Sequence, residues 1–193
     1  MTVRPRASKA LIADAGIALL RADPAEGLGF NRVARALGIQ PPSLYNHVAD
    51  GEALRRVVAI RAWQHFCDAC ERTQGRKRGA RALKAFGAAY RQFARDEPGL
   101  FDLMEDVALD PTAADYLPSM QRIFRLFAGP LEDLGIPNAE RTHLIRALRA
   151  AVHGFVVLER RGQFAMADDV DESFTRMLNR LLAQSPHAVR RGG

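Results

Sequence analysis

Along the first sixty positions apolar residues recur at helical spacing in short bursts, each closed by residues that cannot continue the helix. Leu11, Ile12, Ala15 and Leu19 form one stripe, which stops at Asp23-Pro24. Val33, Ala34 and Leu37 form a second, leaving Asn31, Arg32 and Arg35 to face outward. Gly38 follows, where a helix C-terminus takes a left-handed residue and glycine carries no Cβ penalty. Pro41 and Pro42 open a third helix, since proline is tolerated in the first turn, whose N–H groups lack an intrahelical partner. In it Leu44 and Val48 share a face, while Ser43, Asn46 and His47 point elsewhere and Tyr45 lies at the margin. A packing helix, a Gly turn and a helix that displays polar side chains is the plan of a helix-turn-helix, whose second helix enters the DNA major groove. There Asn, Gln and Ser can hydrogen-bond base edges, and Tyr and His can hold phosphates. The turn alone fits an ordinary helical hairpin as well.

From Gly51 the periodicity stays helical, with no strand pattern. Leu54, Val57 and Val58 begin a long fourth helix that runs through Trp63 and Phe66 to a break at Gly75-Arg76-Lys77-Arg78-Gly79. A fifth, carrying Leu83, Phe86, Tyr90 and Phe93, ends at Pro98-Gly99, and a short sixth carries Leu100, Phe101, Leu103 and Met104. Met120, Ile123, Phe124, Phe127, Leu131 and Leu134 mark a seventh, which Gly129-Pro130 is expected to kink or break. The eighth has Leu144, Leu148, Ala151, Phe155 and Leu158 in one row and Ile145, Val152 and Val156 in another, too much apolar circumference for a single neighbour. The ninth opens on Asp168, Asp169, Asp171 and Glu172, suited to the positive end of a helix dipole, and then sets Phe174, Met177, Leu178, Leu181 and Leu182 on one face. The pattern predicts an all-α chain of about nine helices, with a three-helix domain at residues 1–54 and a helical domain at 55–193. The last two helices of two chains would make a four-helix interface, with Gly154 allowing close approach. The alternative for this face is an ordinary monomeric core.

The run Leu37-Gly38-Ile39-Gln40-Pro41-Pro42-Ser43-Leu44-Tyr45-Asn46-His47-Val48 resembles the TetR family of transcriptional regulators, whose members read Leu-Gly-(aliphatic)-x-x-Pro-x-Leu-Tyr-x-His-(Phe or Val) here. The resemblance implies an all-helical homodimer with an N-terminal DNA-binding domain and a C-terminal domain that binds a small effector. It implies that Asn31, Gln40, Pro41, Ser43 and Asn46 face bases while Tyr45 and His47 contact phosphates of double-stranded DNA at a palindromic operator. Gly29, Gln40 and Gly51 depart from the hydroxyl, hydroxyl and Lys residues common in the family, and each change removes a helix cap or a phosphate contact. Arg55 or Arg56 stands one turn on as a replacement for the missing Lys, or simply on a solvated face. The segment RALRAAVHGFVVLE also resembles a TetR subgroup with an aromatic-His-Gly element; here Val152 stands in the aromatic position, before His153-Gly154.

Phe86, Tyr90, Phe93, Met104, Met120, Phe124, Phe127, Leu148 and Phe155 supply apolar surface for an effector cavity, in which Tyr90, His143 or His153 would orient a polar atom. The same stripe equally suits plain core. The resulting expectation is a repressor released from its operator by a small apolar or aromatic ligand. A helical small-molecule or lipid-binding protein of the same shape without DNA affinity is the alternative.

Charge changes this picture little. A net charge of +6 fits a nucleic-acid partner, with +3 in residues 1–60 and +3 in the remainder. Arg4, Arg6 and Lys9 could reach a groove as an N-terminal arm, or form a soluble tail. Asp14 interrupts the only run that imitates a secretory signal, and no stretch approaches the roughly 20 apolar residues of a membrane span, so a cytoplasmic protein is expected. Cys67 and Cys70 form a single C-x-x-C that reads as structural thiols, with thiol sensing or metal binding as the alternative; a complete zinc site would need two further ligands, and no cofactor or metal is expected. No Gly-rich phosphate loop, nucleophile elbow or His pair at i, i+4 occurs, so an enzyme is not expected.

Overall fold

The computed structural model describes residues 8–183. Its helices are α1 (Lys9–Ala22), α2 (Phe30–Leu37), α3 (Pro41–Leu44), α4 (Gly51–Gln74), α5 (Gly79–Asp96), α6 (Pro98–Asp106), α7 (Leu117–Asp133), α8 (Asn138–Arg160) and α9 (Val170–Ala183). Among the described residues there is no strand, and no helix is long and apolar enough to cross a membrane. Arg4 and Arg6 of the expected arm lie outside the described residues; Lys9 is exposed at the start of α1.

The chain divides into two compact units, one holding the described residues of Met1–Phe66 with Asp96–Met120, the other those of Cys67–Arg95 with Gln121–Gly193. In the first, Ser8 caps α1 by accepting from the Leu11 amide at 3.3 Å. Ile12, Ile17 and Leu20 of α1 are buried, as are Val33 and Ala34 of α2, Leu44 and Val48, Leu54 and Val58 of α4, and Leu100, Phe101 and Met104 of α6. Small residues set how closely these helices approach. A Cβ on Gly16 would come within 2.4 Å of a Val58 methyl, and one on Gly99 within 2.9 Å of the Leu20 carbonyl oxygen. The helix-turn-helix segment therefore shares its unit with α6, whose N-terminus is tied to α1 by the forked Arg21–Glu97 pair.

In the second unit the buried residues include Phe86, Tyr90, Phe93, Leu131, Ile136, Leu148, Val152, Val156, Phe174, Leu178 and Leu182. Arg91 of α5 is also buried; it pairs with Glu159 of α8 and Asp171 of α9 while lying over the rings of Phe174 and Phe155. The three helices are thus joined by one guanidinium. Of the kink or break expected at Gly129-Pro130, the break does not occur: α7 continues through Pro130. Proline removes the N–H that would have bonded the Leu126 carbonyl, and the Gln74 side-chain amide donates to that oxygen instead, at 2.9 Å.

Candidate nucleic-acid interface

The head is built around one left-handed residue. Gly38, at φ 65°, ends α2, and the Gly38 and Ile39 amides turn back to the Arg35 and Ala34 carbonyls. Two residues later Gln40 caps α3 through its carbonyl, accepting from the Ser43 amide at 2.9 Å, and leaves its side-chain amide unused and exposed. The α-helical part of α3 ends at Leu44, earlier than the expected run to Val48. With two prolines at its start it has few amides to donate, and Tyr45–His47 continue as a turn in which the His47 and Val48 amides both donate to the Leu44 carbonyl. Leu44 and Val48 still face inward together, as the spacing predicts.

This arrangement leaves a polar surface. Asn31, Gln40 and Asn46 are exposed, Pro41, Ser43 and His47 are half-buried, and Tyr45 is 58% exposed. The Tyr45 ring stacks on Phe30 at 4.6 Å with an interplanar angle of 18°, so the first residue of α2 holds the phenol in place. Asn31 lies in α2, Gln40 in the turn, Pro41 and Ser43 in α3, and Tyr45, Asn46 and His47 in the turn that follows it.

Arg32 does not face outward. The periodicity puts it outside, yet its guanidinium folds back on the end of α1, donating to the carbonyls of Gly27, Asp23 and Leu19 and pairing with Glu26. The end of α1 carries unpaired carbonyls and the negative end of its dipole, which draw an Arg from the next helix. Arg35 remains exposed. Arg55 and Arg56 are each held by a carboxylate, Asp106 at 3.3 Å and Asp115 at 2.7 Å. Gly29 caps α2 without a side-chain bond, whereas the Asp50 carboxylate caps α4 by accepting from the Ala53 amide at 2.8 Å.

In the second unit four of the expected effector residues, Phe86, Tyr90, Phe127 and His153, contact one another. Phe86 and Phe127 lie 4.5 Å apart, Phe86 and Tyr90 6.3 Å, and the Tyr90 hydroxyl hydrogen-bonds His153 Nδ1 at 3.0 Å. Phe93 and Leu148 are buried, while Phe124 is 62% exposed and His143 is exposed. Met104 is buried and Met120 half-buried within the first unit. A cavity of about 350 Å³ opens elsewhere, under the α8–α9 loop, lined by Phe155, Phe164, Met166, Asp168, Val170 and Arg176 among others. Of these only Phe155 was expected at an effector site; Phe164 and Met166 lie in a loop with no periodicity to reveal them.

The two thiols lie at adjoining positions of one buried helix face. Burial pushes Cys67 up to about 11 and raises Cys70 further. Among the described residues no group of three His, Cys, Asp or Glu side chains is placed to hold a metal ion.

An all-helical body behind a helix-turn-helix defines a class of regulators, and comparison places the chain within it. Residues 83–181 match the family described as Tetracyclin repressor-like, C-terminal domain. The chain belongs to the TetR family of DNA-binding transcriptional regulators. It is 28% identical to the HTH-type transcriptional regulator Rv0681 of Mycobacterium tuberculosis over 98% of this chain and 93% of that one. Among solved structures it is similar to the TetR regulator SCO7222 of Streptomyces coelicolor, with TM-score 0.71, 15% identity and coverage of 96% and 100%. It is also similar to a TetR of Acinetobacter baumannii in complex with minocycline, with TM-score 0.65, 19% identity and coverage of 91% and 94%.

Proposed function

We propose that the chain is a cytoplasmic, homodimeric repressor that reads a palindromic operator through α3 and leaves it when a small apolar or aromatic ligand binds. The observation that carries this reading is the surface around Gly38, where Leu44 and Val48 anchor the turn from below while Gln40, Tyr45 and Asn46 stand exposed above it. Gln40, Ser43 and Asn46, with Asn31 and Pro41, face bases; Tyr45 and His47 hold phosphates. Residues 1–54 act as the reading head and 55–193 as the regulatory body. The dimer forms through α8 and α9. Leu158 is exposed on α8, and a Cβ on Gly154 would meet nothing within 4 Å, which leaves room for a partner helix. Such a dimer presents two heads to half-sites about 34–36 Å apart, one helical turn of DNA.

The effector binds among Phe86, Tyr90, Phe93, Phe124, Phe127, Leu148 and His153 of the second unit, with the Tyr90–His153 pair as its polar anchor. The same fold holds minocycline in the Acinetobacter protein, which supports a ligand of aromatic character. A coupling of about 1–3 kcal/mol between the two sites gives a 5- to 150-fold change in operator affinity. The test is a salt-titrated gel shift on duplex from the chain's own upstream region. Tyr45→Ala should weaken binding to all sequences, and Asn46→Ala should alter base preference. Absence of any retarded complex at low salt would refute the DNA-reading role and leave the ligand-binding one.

A further inference from the structure

The basic excess is concentrated in one place. Residues 72–84 contain Arg72, Arg76, Lys77, Arg78, Arg81 and Lys84 with no Asp or Glu, six charges that equal the formal excess of the whole chain. Outside that segment, residues 61–193 carry fourteen Lys and Arg against seventeen Asp and Glu, so the body is otherwise acidic. The segment is the α4–α5 turn, and the fold holds it in shape. Gly75 and Gly79, each at φ 51°, bracket Arg76-Lys77-Arg78. Gln74 anchors the near side on the Leu126 carbonyl, and Asp133 anchors the far side by accepting from the Gly79 amide at 3.1 Å and pairing with Arg78. Lys77 donates to the Thr73 carbonyl at the end of α4.

Arg72, Arg76, Arg81 and Lys84 take no carboxylate among the described residues. Arg76, Lys77, Arg78, Ala80 and Arg81 line an open depression on the surface. Arg81 lies in the first turn of α5, where there is no acidic residue and where a cation opposes the helix dipole. The Asp133 carboxylate at the Gly79 amide pairs with Arg78 and leaves Arg81 without a carboxylate of its own among the described residues.

We propose that this turn is a second, sequence-independent phosphate-binding surface that engages the backbone of duplex DNA. Four of the six cations are Arg, whose planar fork matches phosphate oxygens. The segment's one large apolar side chain, Leu83, is buried, so the surface lacks the exposed apolar residues that a membrane-binding helix or the centre of a protein interface uses. What remains is a cluster of cations held in a fixed turn, of which Arg78 alone is paired with a carboxylate among the described residues, and such a cluster suits contacts to phosphates that carry no sequence information. The proposal is independent of whether α3 reads an operator.

The test uses the full chain, a random-sequence duplex and fluorescence anisotropy across about 50 to 200 mM salt, where each phosphate neutralised contributes about 0.9 to the slope of log affinity on log salt. Replacing Arg76, Lys77 and Arg81 together by Gln is expected to reduce that slope by roughly 2 to 3 while the helical circular dichroism signal is kept. An unchanged slope overturns the proposal. A Tyr45→Ala, Asn46→Ala double variant should lose preference for the upstream duplex yet keep the turn-dependent slope on random duplex. If that variant loses all binding to random duplex, the second surface does not exist; if it keeps its operator preference, the reading of α3 fails instead. Vesicles of phosphatidylcholine and phosphatidylserine in equal parts provide the remaining arm. Turn-dependent binding to them, with the duplex slope unchanged, would assign the surface to a membrane and overturn the proposal.

Discussion

Removing Arg91 should cost the second unit far more than an ordinary surface substitution, because its charge is buried. Its side chain is 8% exposed, donates from Nε to Glu159 Oε2 at 2.7 Å and pairs with Asp171 at 2.7 Å. The guanidinium also lies 4.9 Å from the centre of the Phe174 ring and 5.5 Å from that of Phe155. Taking one partner from a buried ion pair costs about 3–5 kcal/mol, because the other charge is left without compensation. Here Arg95 still reaches Glu159 at 2.6 Å, so Arg91→Leu is expected to cost about 2–4 kcal/mol in urea unfolding. Adding Glu159→Leu removes the stranded charge and should recover part of that loss. The acid limb offers a second measurement. The hydrogen bond from Arg91 holds the Glu159 carboxyl below its ordinary range, opposed by burial. Its pKa is thus lower in the folded protein than in the unfolded chain. The stabilisation is complete above the unfolded value of about 4.3 and is lost as pH falls through the lower folded value. Arg91→Leu should flatten stability against pH in that window. A single variant within about 0.5 kcal/mol of the parent, the range of an ordinary surface substitution, would refute the reasoning, as would an unaltered acid limb.

Gly16→Ala should destabilise by about 1–3 kcal/mol in thermal or urea unfolding, since the added methyl meets Val58 at 2.4 Å and α1 or α4 must shift. Gly29→Ser, at an N-cap with φ −136° and open space around it, should stabilise by a few tenths of a kcal/mol by supplying the missing cap bond. The Cys67 thiol, pushed up to about 11, and the still higher Cys70 should stay unlabelled by a thiol reagent at pH 8 in the folded protein and react fully in denaturant. Asp115→Asn frees Arg56, and tighter DNA binding with a salt slope steeper by about 1 would show that the released guanidinium reaches a phosphate.

The residues that were legible in the sequence are those whose reasons are local. Gly38, Pro41 and Pro42 announce the turn by backbone preference, and Leu44 and Val48 announce their buried face by spacing. What stayed hidden depends on partners far along the chain. Arg32 turns inward because the end of α1 offers it carbonyls, and Pro130 is tolerated because Gln74 takes over the oxygen it abandons. Phe124 shares the helical spacing of its buried neighbours but stands exposed, a difference that periodicity cannot register. The seven head residues all lie between Asn31 and His47 of one short segment, whereas the effector residues are drawn from several helices whose packing no local pattern specifies.

The central claim is that the residues around Gly38 distinguish one DNA sequence from another. The most direct measurement is the ratio of affinities for upstream and random duplex at one salt concentration, for the parent chain, Tyr45→Ala and Asn46→Ala. The account predicts a large ratio for the parent, weaker binding at a preserved ratio for Tyr45→Ala, and a base preference altered by about 1–3 kcal/mol at one position of each half-site for Asn46→Ala. A ratio of one for the parent, or an Asn46→Ala variant with unchanged preference, would contradict it.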